Sequence, residues 1–135
     1  MFRENMLMEN LKIKATRYTP EISFNAETNV LELKGECYPE NIAEFSDPLF
    51  SWLEEYLSVL GNQAVIVNVD LNYFNSSTSK MLLNFFDRLE AEVANGKNIS
   101  VNWIYEPEND SAEEYGEEFQ EDLESLSFNL VTKEE

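Results

Sequence analysis

From Leu11 to Ala15 the chain alternates apolar and polar residues, the pattern of an edge strand, and Pro20 ends that pattern. Glu21 to Asn25 and Val30 to Glu36 alternate in the same way, with Ala26-Glu27-Thr28-Asn29 between them, which predicts a β-hairpin. The period then changes. Leu49, Trp52, Leu53, Tyr56, Leu57 and Leu60 recur at helical spacing, Asn41 is placed to cap a helix beginning at Ile42, and Gly61 is placed to stop it. Asp47-Pro48 predicts a restart or kink, because proline suits only the first turn. Ala64 to Leu71 is β-branched and almost continuously apolar, which predicts a central strand covered on both faces. A second helical stripe, Leu82, Phe85, Phe86, Leu89 and Val93, ends at Asn95-Gly96. Ile99 to Tyr105 reads as a strand, 110–124 as a helix with Ala112, Tyr115, Phe119 and Leu123 on its apolar face, and Ser127 to Thr132 as a short last strand.

This order predicts an α/β fold with right-handed crossovers onto a mixed β-sheet of about four to five strands, an N-terminal hairpin and about three helices. Residues 1–10 read as a loose lead-in and 11–132 as a single domain.

Charge narrows the class of partner. Among 135 residues there are 27 acids and 9 bases, a formal net charge of −18. No Lys or Arg occurs from Gly35 through Ser79 or from Asn98 through Thr132. Such a surface cannot neutralise a phosphate backbone, so no nucleic acid is expected as a partner. Anionic membranes would repel it, and residues 1–10 hold no apolar run suited to a signal peptide or a span, so a cytoplasmic location without a membrane partner is expected. One cysteine, Cys37, leaves no intramolecular disulfide.

The absence of histidine removes the commonest general base and metal ligand, and with it Ser-His-Asp and Cys-His catalysis. Cys37 has no His and little cation near it in sequence to activate it and reads as a half-buried strand-end thiol. The four glycines are isolated, so neither phosphate-cradling loop motif is present. Glu106, Glu108, Asp110 and Glu117 loosely echo a calcium loop, but Ser111 stands where glycine is required, and a solvated acidic helix start reads better. The expectation is a non-catalytic protein with no cofactor and no metal.

What remains is Asp70 to Ser79, which runs from a strand end into a helix N-terminus and carries Ser76, Ser77, Thr78 and Ser79. Two compatible readings stand. Structurally, Asn75 or Ser76 caps the helix and the other hydroxyls fill its first turn. Functionally, a hydroxyl there is a phosphorylation site: free backbone N–H groups would receive the phosphate, and its roughly −1.5 to −2 charges would weaken a partner's contact with Tyr73 and Phe74, both expected to be exposed.

The Asp-Leu strand end, short loop and Asn-Ser-Ser helix start resemble the phosphorylation loop of STAS domains, the anti-sigma-factor antagonists of bacterial partner switching. Gly35-Glu36-Cys37-Tyr38-Pro39-Glu40-Asn41 resembles the Gly-x-Ser-Tyr-Pro-Glu-Asn block of the SiaC family, and Tyr73-Phe74-Asn75-Ser76-Ser77 resembles its Tyr-Leu-Asn-Thr-Ser block. Trp103 to Asp110, followed by Glu117-Glu118-Phe119, is similar to its Trp-x-Tyr segment and acidic helix. The resemblance implies a STAS-like, non-catalytic regulator in bacteria. A Ser/Thr kinase would phosphorylate it and a PP2C-type phosphatase would reverse this. The unmodified form would bind and activate a diguanylate cyclase, raising cyclic-di-GMP and favouring biofilm. The phosphoacceptor falls on Ser76, with Ser in place of the family's Thr, and Cys37 stands where Ser is expected. The partner surface expected around it comprises Tyr73, Phe74, Asn75, Ser77 and Thr78, together with Tyr38, Glu40 and Asn41. The alternative is a constitutive acidic binding module or inhibitor without a phosphoswitch.

Overall fold

The structure, a computed structural model, describes residues 8–133. The elements are β1 (Leu11–Ile13), β2 (Glu21–Asn25), β3 (Val30–Cys37), α1 (Ile42–Val59), β4 (Ala64–Phe74), α2 (Ser76–Ala94), β5 (Asn98–Tyr105), α3 (Asp110–Asp122) and β6 (Ser127–Thr132). Six strands form one sheet in chain order, β1-β2-β3-β4-β5-β6. The β1/β2 and β2/β3 pairs are antiparallel, and β3 through β6 are mutually parallel. The hairpin, the three helices and the short last strand lie where the periodicity predicts them, and the sheet has one more strand than the upper expectation.

Strand order explains one departure. Each parallel strand is followed by its immediate neighbour, so crossovers of one hand deliver all three helices to one face. β4 is therefore covered on one face only. Val65, Val67, Val69 and Leu71 point into the core, whereas Ala64 and Ile66 are exposed. On the open face Glu32, Asn68, Asn102 and Asn129 stand in register across four strands and are joined by side-chain hydrogen bonds (Asn129 donates to Asn102, Asn102 to Asn68, Asn68 to Glu32). A continuous apolar run in the sequence thus hides a strand of ordinary one-sided burial.

α1 runs through Pro48 without a break, against the predicted restart. Proline removes the donor that would serve the Glu44 carbonyl. Both Glu44 and Pro48 are exposed, so water can satisfy that carbonyl, and the buried stripe from Leu49 to Leu57 holds the helix on the sheet. The lead-in reading of residues 1–7 lies outside the described residues. Met8 to Asn10 are anchored: Met8 packs on the core, the Glu9 carbonyl accepts from Trp52 Nε1 at 2.8 Å, and Asn10 Oδ1 accepts from the Ala26 N–H at 2.8 Å.

Two of the scarce cations form salt bridges among the described residues. Arg88 on α2 pairs with Glu54 on α1 at 2.6 Å and with Glu92 one turn on at 2.8 Å. Lys133 pairs with the largely buried Asp70 at 3.1 Å. Lys80 makes no salt bridge among the described residues.

Candidate functional site

Because β3, β4 and β5 are parallel, their carboxyl ends lie along one edge of the sheet, and each hands on to a helix there. All three helices begin with an asparagine cap. Asn41 Oδ1 accepts from the Glu44 N–H, Asn75 Oδ1 from the Thr78 N–H, and Asn109 Oδ1 from the Ala112 N–H, at 3.0–3.2 Å. This decides between the two capping alternatives: Asn75 is the cap and Ser76 is the first helical residue of α2.

The four hydroxyls of that first turn then separate. Thr78 is fully buried, and its Oγ1 donates to the Cys37 carbonyl at 2.9 Å and lies 3.4 Å from the Cys37 sulfur. Ser79 Oγ donates back to the Ser76 carbonyl at 2.8 Å. Ser76 and Ser77 are exposed, and their hydroxyls make no hydrogen bond among the described residues. They also sit where the first N–H groups of the helix have no intrahelical acceptor.

The expected partner surface is reorganised by one irregularity. The β3/β4 register shifts between Gly35 and Glu36: Gly35 lies opposite Leu71 but Glu36 lies opposite Tyr73, so Asn72 is an extra residue in β4. Such a bulge reverses which residues face the core. Tyr73 consequently points outward, 55 % exposed, while Phe74 turns inward, 8 % exposed, against Trp103 and Tyr115. The expectation of an exposed Phe74 is therefore corrected, and Thr78 likewise lies beneath the surface. Cys37 is fully buried rather than half-buried, and burial pushes its thiol above the ordinary value, against a smaller opposing effect of the Thr78 hydrogen bond. Tyr38 is half-buried, and Glu40 and Asn41 are exposed. These join the site because β3 and β4 end side by side: the Tyr38 ring meets Tyr73 edge-on, with centroids 5.5 Å apart.

Ser76 lies on the rim of two hollows. One, about 470 Å³, is a groove between α2 and α3 lined by Ser76, Ser77, Lys80, Tyr115, Glu118 and Asp122 among others. The other, about 560 Å³, reaches from Tyr73 and Ser76 to Asn109 and Ser111 at the start of α3. Sequence reading missed this role of α3. Its N-cap Asn109 also donates from Nδ2 to the Asn72 carbonyl at 3.0 Å, which ties the helix to the bulge below Ser76. Gly116 lets α3 lie against Trp103, where a Cβ would come within 2.6 Å of the indole. An interior glycine in an acidic helix was the available signal, since glycine there costs stability unless something packs close.

The fold has counterparts among known proteins. The family model described as SiaC family regulatory phosphoprotein matches residues 13–133. An uncharacterized protein of Pseudomonas aeruginosa is 32% identical over 128 residues, which is 95% of this chain and all of that protein. Among solved structures, apo-SiaC from P. aeruginosa superimposes with a TM-score of 0.82 at 31% identity, covering 94% of this chain and 100% of that one. SiaC in the crystal structure of the diguanylate cyclase SiaD in complex with its activator SiaC, also from P. aeruginosa, gives a TM-score of 0.85 at 31% identity, covering 91% of this chain and 99% of that chain.

Proposed function

Because the chain belongs to the SiaC family of regulatory phosphoproteins, we propose that it is a non-catalytic partner-switching regulator whose phosphoacceptor is Ser76 and whose effector is a diguanylate cyclase. The unphosphorylated form binds and activates the effector, and phosphorylation releases it. A Ser/Thr kinase adds the phosphate and a PP2C-type phosphatase removes it, in the cytoplasm. The cyclase assignment rests on the relative that is a diguanylate cyclase's activator.

The observation that carries the reading is the division of labour in one helical turn. Asn75 caps and Thr78 anchors, so the exposed Ser76 hydroxyl does no work for the fold. A phosphate at Ser76 is compatible with the folded chain. The free N–H groups and positive end of α2 favour it, and Lys80, one turn on, offers a cation. The same phosphate is incompatible with a covered surface. It brings roughly −1.5 to −2 charges beside Tyr73 and across the groove from Glu118 and Asp122. A partner seated there would have to desolvate the dianion next to carboxylates, whereas water does not.

The test is to phosphorylate the protein with its kinase and ATP and map the site by mass spectrometry. Modification at Ser76, lost in Ser76→Ala, is expected. A phosphate found only at other residues overturns the site. If Ser76→Asp leaves effector affinity unchanged while salt weakens it steeply, the constitutive acidic module is the correct reading.

A further inference from the structure

A third cavity, about 740 Å³, opens beside the switch and does not include Ser76. It is lined by Thr16, Tyr18, Thr19, Tyr38, Pro39 and Glu40. Its walls are pre-organised. In the β1–β2 loop the Thr16 hydroxyl accepts from the N–H groups of Tyr18 and Thr19, at 3.1 and 3.0 Å, and lies 2.6 Å from the Thr19 hydroxyl. The Tyr38 N–H donates to the Tyr18 carbonyl at 2.7 Å, pinning loop to strand end. Gly35, at φ +132°, makes this approach possible, because a Cβ there would press to 3.3 Å on Pro20 Cα.

This scaffold holds the Tyr18 and Tyr38 rings at 83° to one another with centroids 5.3 Å apart, so they form two walls of a corner. Glu40 stands at the rim, exposed and without a salt bridge among the described residues. Two electron-rich rings and a carboxylate around one hollow are the elements of a cation cage. The chain's own Arg17 lies with its guanidinium carbon 5.9 Å from the Tyr18 ring centroid, so that ring already draws a cation. The net charge of the whole chain, −18, favours a cationic partner at long range, and Glu40 supplies the anion at the cavity itself, next to the chain's own Arg17.

We propose that this cavity is an arginine-binding subsite: a basic segment of a protein partner seats one guanidinium in the corner formed by the Tyr18 and Tyr38 rings and pairs it with Glu40. Arginine fits better than lysine because its planar head stacks on a ring while its N–H groups reach a carboxylate. The proposal deepens the partner-binding reading above and rests on it for the claim that a partner covers this edge of the sheet. Tyr38 also contacts Tyr73 and so joins the subsite to the switch loop.

The test uses the full chain with ring-¹³C-labelled tyrosine, titrated at low salt with Nα-acetyl-argininamide and, in parallel, with its neutral isostere Nα-acetyl-citrullinamide. The Tyr18 and Tyr38 ring signals are expected to move saturably with the arginine probe. The citrulline probe, Tyr18→Leu and Glu40→Gln should each bind about two- to fivefold more weakly. Both substitutions are at exposed side chains, so the fold survives them. Equal response to the two probes, unchanged binding in both variants, or an equal shift of Tyr115 beside the acidic α3 would overturn the subsite. The probe reads the cavity alone, whereas the switch is read from phosphorylation of Ser76, so either can fail without the other.

Discussion

The starts of α2 and α3 are built alike and charged differently. Both follow the carboxyl end of a parallel strand, and both are capped by an asparagine whose Oδ1 accepts the N–H three residues on. In α3 the first helical residue is Asp110, an exposed carboxylate. In α2 the same position is Ser76, exposed and neutral. Carboxylates and phosphates are stabilised at such ends by the same partial charges. The pair teaches that a negative charge at a helix start is structurally ordinary here. A phosphate on Ser76 should therefore leave the fold in place and act on whatever lies against it.

The largest effect is expected at the packing that seats α3 on the sheet. Gly116→Ala would drive a methyl into Trp103 and Leu130, and a loss of about 1–3 kcal/mol is expected in chemical denaturation. If its effect spreads through Asn109 to the bulge at Asn72, the Tyr73 ring signals will shift as well.

Removing the caps comes next. Asn75→Ala and Asn109→Ala should each cost about 1 kcal/mol. Asn109→Ala should cost more, because Asn109 Nδ2 also holds the Asn72 carbonyl. Equal losses would show that the tie between α3 and β4 contributes nothing.

The far ends of the two helices are joined by Glu90 of α2. Its Oε2 accepts from the N–H groups of Glu124, at 2.6 Å, Ser125, and Leu126, at 3.3 Å, just beyond α3. The Ser125 bond chiefly holds this carboxyl below the ordinary carboxylate value, with smaller help from Glu124 and Leu126 against desolvation. A depressed folded value stabilises above the unfolded value and is lost as pH falls through the folded one. The stability advantage of the wild type over Glu90→Gln should accordingly be complete near neutrality and vanish on acidification below about 4.5, the ordinary value. An advantage independent of pH would contradict this.

The mildest change exchanges the charges themselves. Ser76→Asp should stabilise, and Asp110→Ser destabilise, by about 0.3–1 kcal/mol, less at high salt. Ser76→Asp should weaken effector binding far more than it alters stability.

The legible part of the fold was whatever a local period encodes. Helical stripes, alternating strands and asparagine caps placed nearly every element, and Gly96, at φ +102°, ends α2 where Asn95-Gly96 predicted. What was not legible is non-local. Burial on one face of β4 follows from the order of neighbouring strands, which no single run of valines reports. The inward turn of Phe74 follows from pairing with Gly35 and Glu36, thirty-odd residues earlier. Likewise Thr78 and Ser76 look equivalent in sequence, and only the Cys37 carbonyl across the strand end separates an anchor from a free hydroxyl. The family blocks named Ser76; the geometry gives a physical reason why that hydroxyl is available.

The most direct measurement is the affinity of one purified protein for the proposed diguanylate cyclase effector before and after kinase treatment, with the phosphate stoichiometry at Ser76 counted in the same samples. Binding is expected to fall in proportion to Ser76 phosphate at every salt concentration while the melting temperature does not fall. Undiminished affinity of protein fully phosphorylated at Ser76 would contradict it.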